Sequence, residues 1–175
     1  MMGGLMSGNF GTWATAAQWT KEAGSGANWG GFTFRVVVPA SALVVGSKIR
    51  LTCQSSDTSS SGIGAMYIGA AAASGDDYDF GTTPTQVLFS GSGTVTVPIG
   101  GTTLVSDAMD FVVDATKPLI ISTYMPLGRT ANITTLSGWV TRYKTGNDAS
   151  TVNATGYSTS SYAASLVTKI EVLVP

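Results

Sequence analysis

From residue 31 onward the chain is cut into short, strand-length runs by glycine, proline, aspartate and serine, and no stretch carries a helical period with caps. This punctuation constrains the fold more than any other feature. Gly31–Val38 first alternates apolar and polar, then turns wholly apolar before Pro39. Lys48–Cys53 alternates Lys, Ile, Arg, Leu, Thr and Cys, the pattern of a strand with one face buried. Residues 63–72 read as a buried strand, and 85–89, 93–97, 109–113, 119–124, 138–143 and 166–174 continue the series. Strand-like runs at a spacing of roughly 10–20 residues, separated by turn signals, are those of a sandwich or barrel. The sequence therefore predicts an all-β fold: one antiparallel β-sandwich domain over residues 13–175, preceded by an irregular N-terminal arm over 1–12. Thr94–Pro98, a strand closed by proline, belongs at an edge or an end. Single helical turns are expected at most within Thr15–Glu22 or around Ser41–Leu43. Ser55–Gly62 reads as a polar loop, and Asn147–Ser161 as a long polar stretch that is either mobile or a functional loop.

Composition supports the β reading. Charged residues are 11% of the chain, the net charge is −1, and hydrophobic residues are 43%. Serine, threonine and glycine take over the polar surface; threonine suits half-exposed strands, and glycine and serine suit turns. Such a surface repels its own copies little, which predicts a homo-oligomer or a place in an assembly. The nine Lys and Arg are scattered from Lys21 to Lys169. No basic patch forms that would neutralise phosphates, so nucleic acid is not an expected partner. No membrane contact is expected either, since no run approaches the ~18 apolar residues of a membrane helix. Met1–Phe10 has neither the basic nor the apolar region of a signal peptide. Cys53 is the only cysteine. It sits in a strand-like run and reads as a buried structural thiol.

The chain has no histidine. That removes the commonest general base and metal ligand, and with it any Ser–His–Asp triad. Glu22 and Glu171 are the only glutamates, and Glu171 lies in the last strand. Asp107, Asp110 and Asp114 surround one strand and read as turn or cap residues. The expected protein is not an enzyme and needs no cofactor. Asp76, Asp77 and Asp79 form the densest acidic cluster; oxygen-rich loops can hold Ca²⁺, but the spacing is not that of an EF-hand, and a solvated turn is the competing reading. For glycan binding the candidates are Trp139, Arg142, Tyr143 and Tyr157, with Tyr162 beyond. In an extended strand Trp139 and Tyr143 share a face, which suits either stacking on a sugar ring or burial in the core. Trp13, Trp19 and Trp29 are placed to pack the N-terminal segment onto the sandwich. The arm carries Met1, Met2, Leu5, Met6 and Phe10. It is either a frayed terminus or a segment that docks on a neighbouring subunit.

Several stretches, taken together, resemble one family. They are Gly11-Thr-Trp-Ala-Thr-Ala-Ala-Gln18, Lys48-Ile-Arg-Leu-Thr52, Ile63-Gly-Ala-Met-Tyr-Ile-Gly-Ala-Ala71 and Gln86-Val-Leu-Phe-Ser-Gly91. Thr94-Val-Thr-Val-Pro-Ile-Gly-Gly101, Ser106-Asp-Ala-Met-Asp110 and Leu119-Ile-Ile-Ser-Thr-Tyr-Met-Pro126 continue the likeness. From about Phe10 onward the chain is similar to the N-terminal accessory domain of SGNH/GDSL esterases. The resemblance implies a β-sandwich of jelly-roll type used as an accessory or carbohydrate-facing module. In those esterases a Gly-Asp-Ser nucleophile motif follows this domain. Here the nearest approach is Gly75-Asp76-Asp77, without the serine. Two functions are expected, the first from the low charge and the apolar arm, the second from the resemblance. The first is a non-enzymatic structural protein of a virion surface, such as a bacteriophage capsid decoration, head fibre or tail spike module, contacting other virion subunits and host surface glycans. The alternative is a carbohydrate-binding module, free-standing or accessory to an esterase, in an extracellular or cell-surface location.

Overall fold

The computed structural model describes residues 11–24, 26–133, 138–160 and 164–175. In chain order the strands are β1 (Thr12–Gln18), β2 (Lys21–Glu22), β3 (Phe32–Val38), β4 (Gly46–Cys53), β5 (Ser61–Ile63) and β6 (Ala65–Ala70). There follow β7 (Thr85–Gln86), β8 (Val95–Val97), β9 (Leu104–Val105), β10 (Met109–Val113) and β11 (Leu119–Met125). The last are β12 (Ala131–Ile133), β13 (Val140–Thr145), β14 (Ser158–Thr159), β15 (Ala164–Ser165) and β16 (Val167–Val174). The first large sheet runs β1-β16-β4-β10, with β9 also on β4; the second runs β14-β13-β3-β11-β6-β7. Neighbouring strands are antiparallel throughout both. Two small ribbons, β15-β12-β2 and β5-β8, complete the β structure.

The inner faces of the two sheets form one core. Ile49, Leu51 and Cys53 of β4, with Ile170 and Val172 of β16, join Phe34, Val36 and Val38 of β3 and Ile121 of β11 in a single buried cluster. Register puts them there. Val172 stands opposite Ile49 and Ile170 opposite Leu51, so one parity of each strand is apolar and points into the sandwich. Cys53 is fully buried in this layer, and loss of solvent pushes its thiol up to about 12.

The outer faces differ, and the difference explains the wholly apolar run in Gly31–Val38. On the second sheet Thr33, Arg35, Val37, Ile120 and Ser122 are buried as completely as the core. Residues 72–81 and 146–157 cover them. Tyr78 and Ala154 pack on Val37, and the Phe80 ring lies so close to Gly69 that a Cβ there would meet it at 2.6 Å. Strand β3 is thus covered on both sides. The outer face of the first sheet is not covered in this way: Asp110 and Val105 are exposed, and Lys48, Arg50 and Lys169 are half-buried.

The structure corrects two local expectations. Thr15–Glu22 contains no helical turn: Thr12–Gln18 pairs with β16 from Val174 to Lys169, with a register shift between Thr15 and Ala17. Ser55–Gly62 is not simply a polar loop. Ser61 opens β5, and Ser55, Ser56 and Ser61 are buried, with the Ser55 and Ser61 hydroxyls donating to the carbonyls of Pro98 and Arg129. Residues 147–157 form no strand, as expected of a loop, and they pack over β3; within the same stretch Ser158–Thr159 pairs as β14. Among the described residues a single 3₁₀ turn forms at Ala40–Ala42, and β8, ahead of Pro98, pairs only with β5 in a two-stranded ribbon. Met1, Met2, Leu5, Met6 and Phe10 of the arm lie outside the described residues, as does Tyr162; strand pairing begins at Thr12.

Candidate functional site

The uncovered face of the first sheet carries a grid of polar side chains. Strands β1, β16, β4 and β9 build it. Thr15 of β1 stands opposite Glu171 of β16, which stands opposite Arg50 of β4. In the neighbouring row Gln18, Lys169, Thr52 and Val105 follow one another across four strands. Strands alternate their side chains, so these residues share the face opposite Ile49, Leu51, Ile170 and Val172. Arg50 meets Glu171 in a two-pronged contact, Nε to Oε2 at 3.0 Å and Nη2 to Oε1 at 3.2 Å. Lys169 Nζ lies 3.1 Å from Glu171 Oε1. Burial alone would raise Glu171, but the hydrogen bonds and charges of Arg50 and Lys169 outweigh it and hold the carboxyl below its ordinary 4.5. The Arg50 guanidinium also lies 4.4 Å from the centroid of Trp13. It is therefore fixed between an aromatic face and a carboxylate. Beside this trio lies an open groove of about 570 Å³, walled further by Gln18, Thr52, Gln54, Thr103 and Thr168.

The aromatic residues singled out in the sequence do not meet at one place. Trp139 is 9% exposed and its ring packs on Trp19 at 4.3 Å, so it belongs to the core. Tyr143 is half-buried on the same side, 5.0 Å from Trp29 and 6.1 Å from Phe32. These three rings line a shallow recess of about 350 Å³ with Asn28, Thr159 and Ser160. Arg142 points to the other side of β13, where it grips Asp77 through Nε and Nη2 at 3.2 and 2.6 Å. Tyr157 stacks on Tyr78 at 5.0 Å, and burial pushes its phenol up to about 12.

The acidic cluster is likewise divided. Asp77 serves Arg142. The Asp76 carboxylate accepts the Tyr78 hydroxyl at 2.8 Å, and Asp79 accepts the N–H groups of Asp76 and Ala154 at 3.1 and 2.9 Å. Among the described residues no group of three or more His, Cys, Asp or Glu is disposed to hold a metal ion. Asp107 accepts two turn N–H groups, from Ser90 and Gly91, Asp114 accepts from Thr116, and Asp110 pairs with Lys48.

A second exposed feature lies at one end of the first sheet. Gly11, Val45, Val112, Leu173, Val174 and Pro175 line an apolar recess of about 500 Å³. Val45 is 65% exposed and Val112 75%. Residues 1–10 join the chain at Gly11, on the rim of this recess. No protein-family model matches the chain, and no curated protein matches it in sequence. Sequence reasoning passed over Arg50 and Lys169, and gave Trp13 a packing role where the structure sets its ring against the Arg50 guanidinium. The available signal was the polar parity of β4 and β16, Lys48/Arg50/Thr52 and Lys169/Glu171, which only the pairing of those two distant strands turns into a site.

Proposed function

We propose that this protein is a non-enzymatic structural module of a virion surface, a capsid decoration, head fibre or tail spike component, that seats through the apolar end of its first sheet. The observation that carries the reading is the recess bearing Val45 and Val112 at 65% and 75% exposure. Clustered apolar side chains left in water mark interaction surfaces. The low charge of the chain and the apolar composition of residues 1–10, which join at the same place, support it. The likeness to a jelly-roll accessory domain fits a module that binds or builds. Size-exclusion chromatography with light scattering tests the reading. The wild type is expected to run as an oligomer that the double substitution Val45→Asp/Val112→Asp converts to a monomer with an unchanged circular dichroism spectrum. A wild type that stays monomeric at every concentration, and fails to co-sediment with purified particles, overturns it.

A further inference from the structure

We propose that the outer face of the first sheet binds an acidic saccharide, an oligosaccharide carrying carboxylate groups, in the groove beside Arg50, Lys169 and Glu171. Of the two outer sheet faces, one is sealed by Tyr78, Phe80 and residues 146–157, and the other holds a polar groove of about 570 Å³. That volume lies within the roughly 300–1,000 Å³ of small-ligand sites.

The groove's chemistry selects the ligand class. Two cations stand there against one carboxylate. Arg50 directs Nε and Nη2 at Glu171 and keeps its Nη1 edge free of any protein acceptor among the described residues. Lys169 makes one contact, to the same carboxylate. The surplus donors and the surplus positive charge suit a ligand carboxylate. Trp13 and Glu171 hold the guanidinium in place before any ligand arrives, which lowers the ordering cost of binding. The rest of the wall is neutral and hydrogen-bonding. Gln54 gives its amide N–H to Gly101, and Thr168 donates to Thr52. The Gln54 carbonyl oxygen, the Gln18 amide and the Thr103 hydroxyl have no protein partner among the described residues. Such groups match a ligand dense in hydroxyls. Val105, 46% exposed, offers an apolar spot for the C–H face of a sugar ring. One guanidinium and one ammonium cannot track the repeated phosphates of a nucleic acid. The groove does not include Val45 or Val112, so this inference stands apart from the assembly reading.

The test is a titration of ¹⁵N-labelled protein with a tetramer of galacturonic acid, read at the indole N–H signals of Trp13 and Trp19 and by calorimetry. Parallel titrations use a neutral hexose tetramer, inorganic phosphate and a short oligothymidine. The uronate is expected to shift both indole signals, with the neutral tetramer about tenfold weaker or more, the scale of one lost charge-assisted bond. Lys169→Gln, which leaves the Arg50–Glu171 pair intact, and Gln18→Ala are each expected to weaken uronate binding, by about tenfold for Lys169→Gln, with the folded circular dichroism spectrum retained. Arg142→Gln, on the other sheet, is expected to bind as the wild type does. The proposal is overturned if the uronate causes no shift at about 10 mM, where a Kd of about 1 mM is already near saturation. It is equally overturned if phosphate or oligothymidine binds as well as the uronate, if both Lys169→Gln and Gln18→Ala bind normally, or if Arg142→Gln abolishes binding.

Discussion

Arg35 is the largest of the fully buried side chains, and it forms no ion pair among the described residues. Backbone carbonyls take the place of a carboxylate. Its guanidinium donates to Tyr78 O at 2.7 Å, Asp148 O at 3.3 Å and Thr151 O, and lies 4.6 Å from the Phe80 ring and 5.2 Å from that of Tyr157. Two chain segments far apart in sequence are thereby fastened to the middle of β3. Removing the side chain strands three buried acceptors, each worth about 1–3 kcal/mol when left unsatisfied. Arg35→Ala is expected to cost about 3–5 kcal/mol in a urea titration and to open residues 72–81 and 146–157 to protease. Arg35→Lys, a point donor in place of a planar fork, is expected to fall between. A variant Arg35→Met as stable as the wild type contradicts this account. None of it was legible in the sequence. There Arg35 is one polar residue in an alternating run, and acceptors that are backbone carbonyls leave no mark on residue identity.

At the scale of elements, legibility followed length. The longer strands β3, β4, β6, β10, β11, β13 and β16 hold enough residues to show either an alternating or a largely apolar strand pattern, and the sequence marks them. The two-residue strands β2, β9, β14 and β15 are too short to have one, and of the run 85–89 only Thr85–Gln86 pairs as a strand, β7. Strand β1 is the instructive miss: Thr-Trp-Ala-Thr-Ala-Ala-Gln is locally compatible with a helical turn, and pairing with β16 at the far end of the chain decides otherwise. The candidate site was half-legible for the same reason. Glu171 was visible as a carboxylate in the last strand, but its partner Arg50 stands 121 residues away. One glycine makes that pairing possible. A Cβ on Gly46 would lie 2.2 Å from Val172 Cγ1 and 2.6 Å from Leu173 O. Gly46→Ala is expected to lose about 1–3 kcal/mol by overpacking, whereas Gly101→Ala, which meets nothing within 4 Å, is expected to stay within about 0.5 kcal/mol of the wild type. Chemical unfolding of the two variants side by side checks the difference.

For the whole molecule, the lack of histidine sets the response to pH. Asp57, held down by hydrogen bonds from Lys21 and Gly24, Asp114, held down by Thr116, and Glu171 all sit below their ordinary values when folded. Their contribution is present above the unfolded values and is lost as pH falls below about 4.5. Cys53, raised by burial from 9.0 to about 12, works in the opposite direction: its contribution is complete below 9.0 and is lost as pH climbs towards 12. Tyr157, raised from 10.0 to about 12, adds to that loss. The melting temperature is therefore expected to hold level from about pH 5 to 9 and to drop on both sides, as circular dichroism melts across that range will show; a step near pH 6.5 would contradict it. The pairing of Thr12 with Val174 carries a last consequence. Entry and exit of the described chain are neighbours, so any passenger spliced onto either one starts from the pole that bears Val45 and Val112. A short splice between the two would close the sandwich into a ring, and new ends could be cut elsewhere without unpicking either sheet. The fold is in that sense a bead on a single thread-hole, with Gln18, Lys169 and Thr52 turned away from the thread.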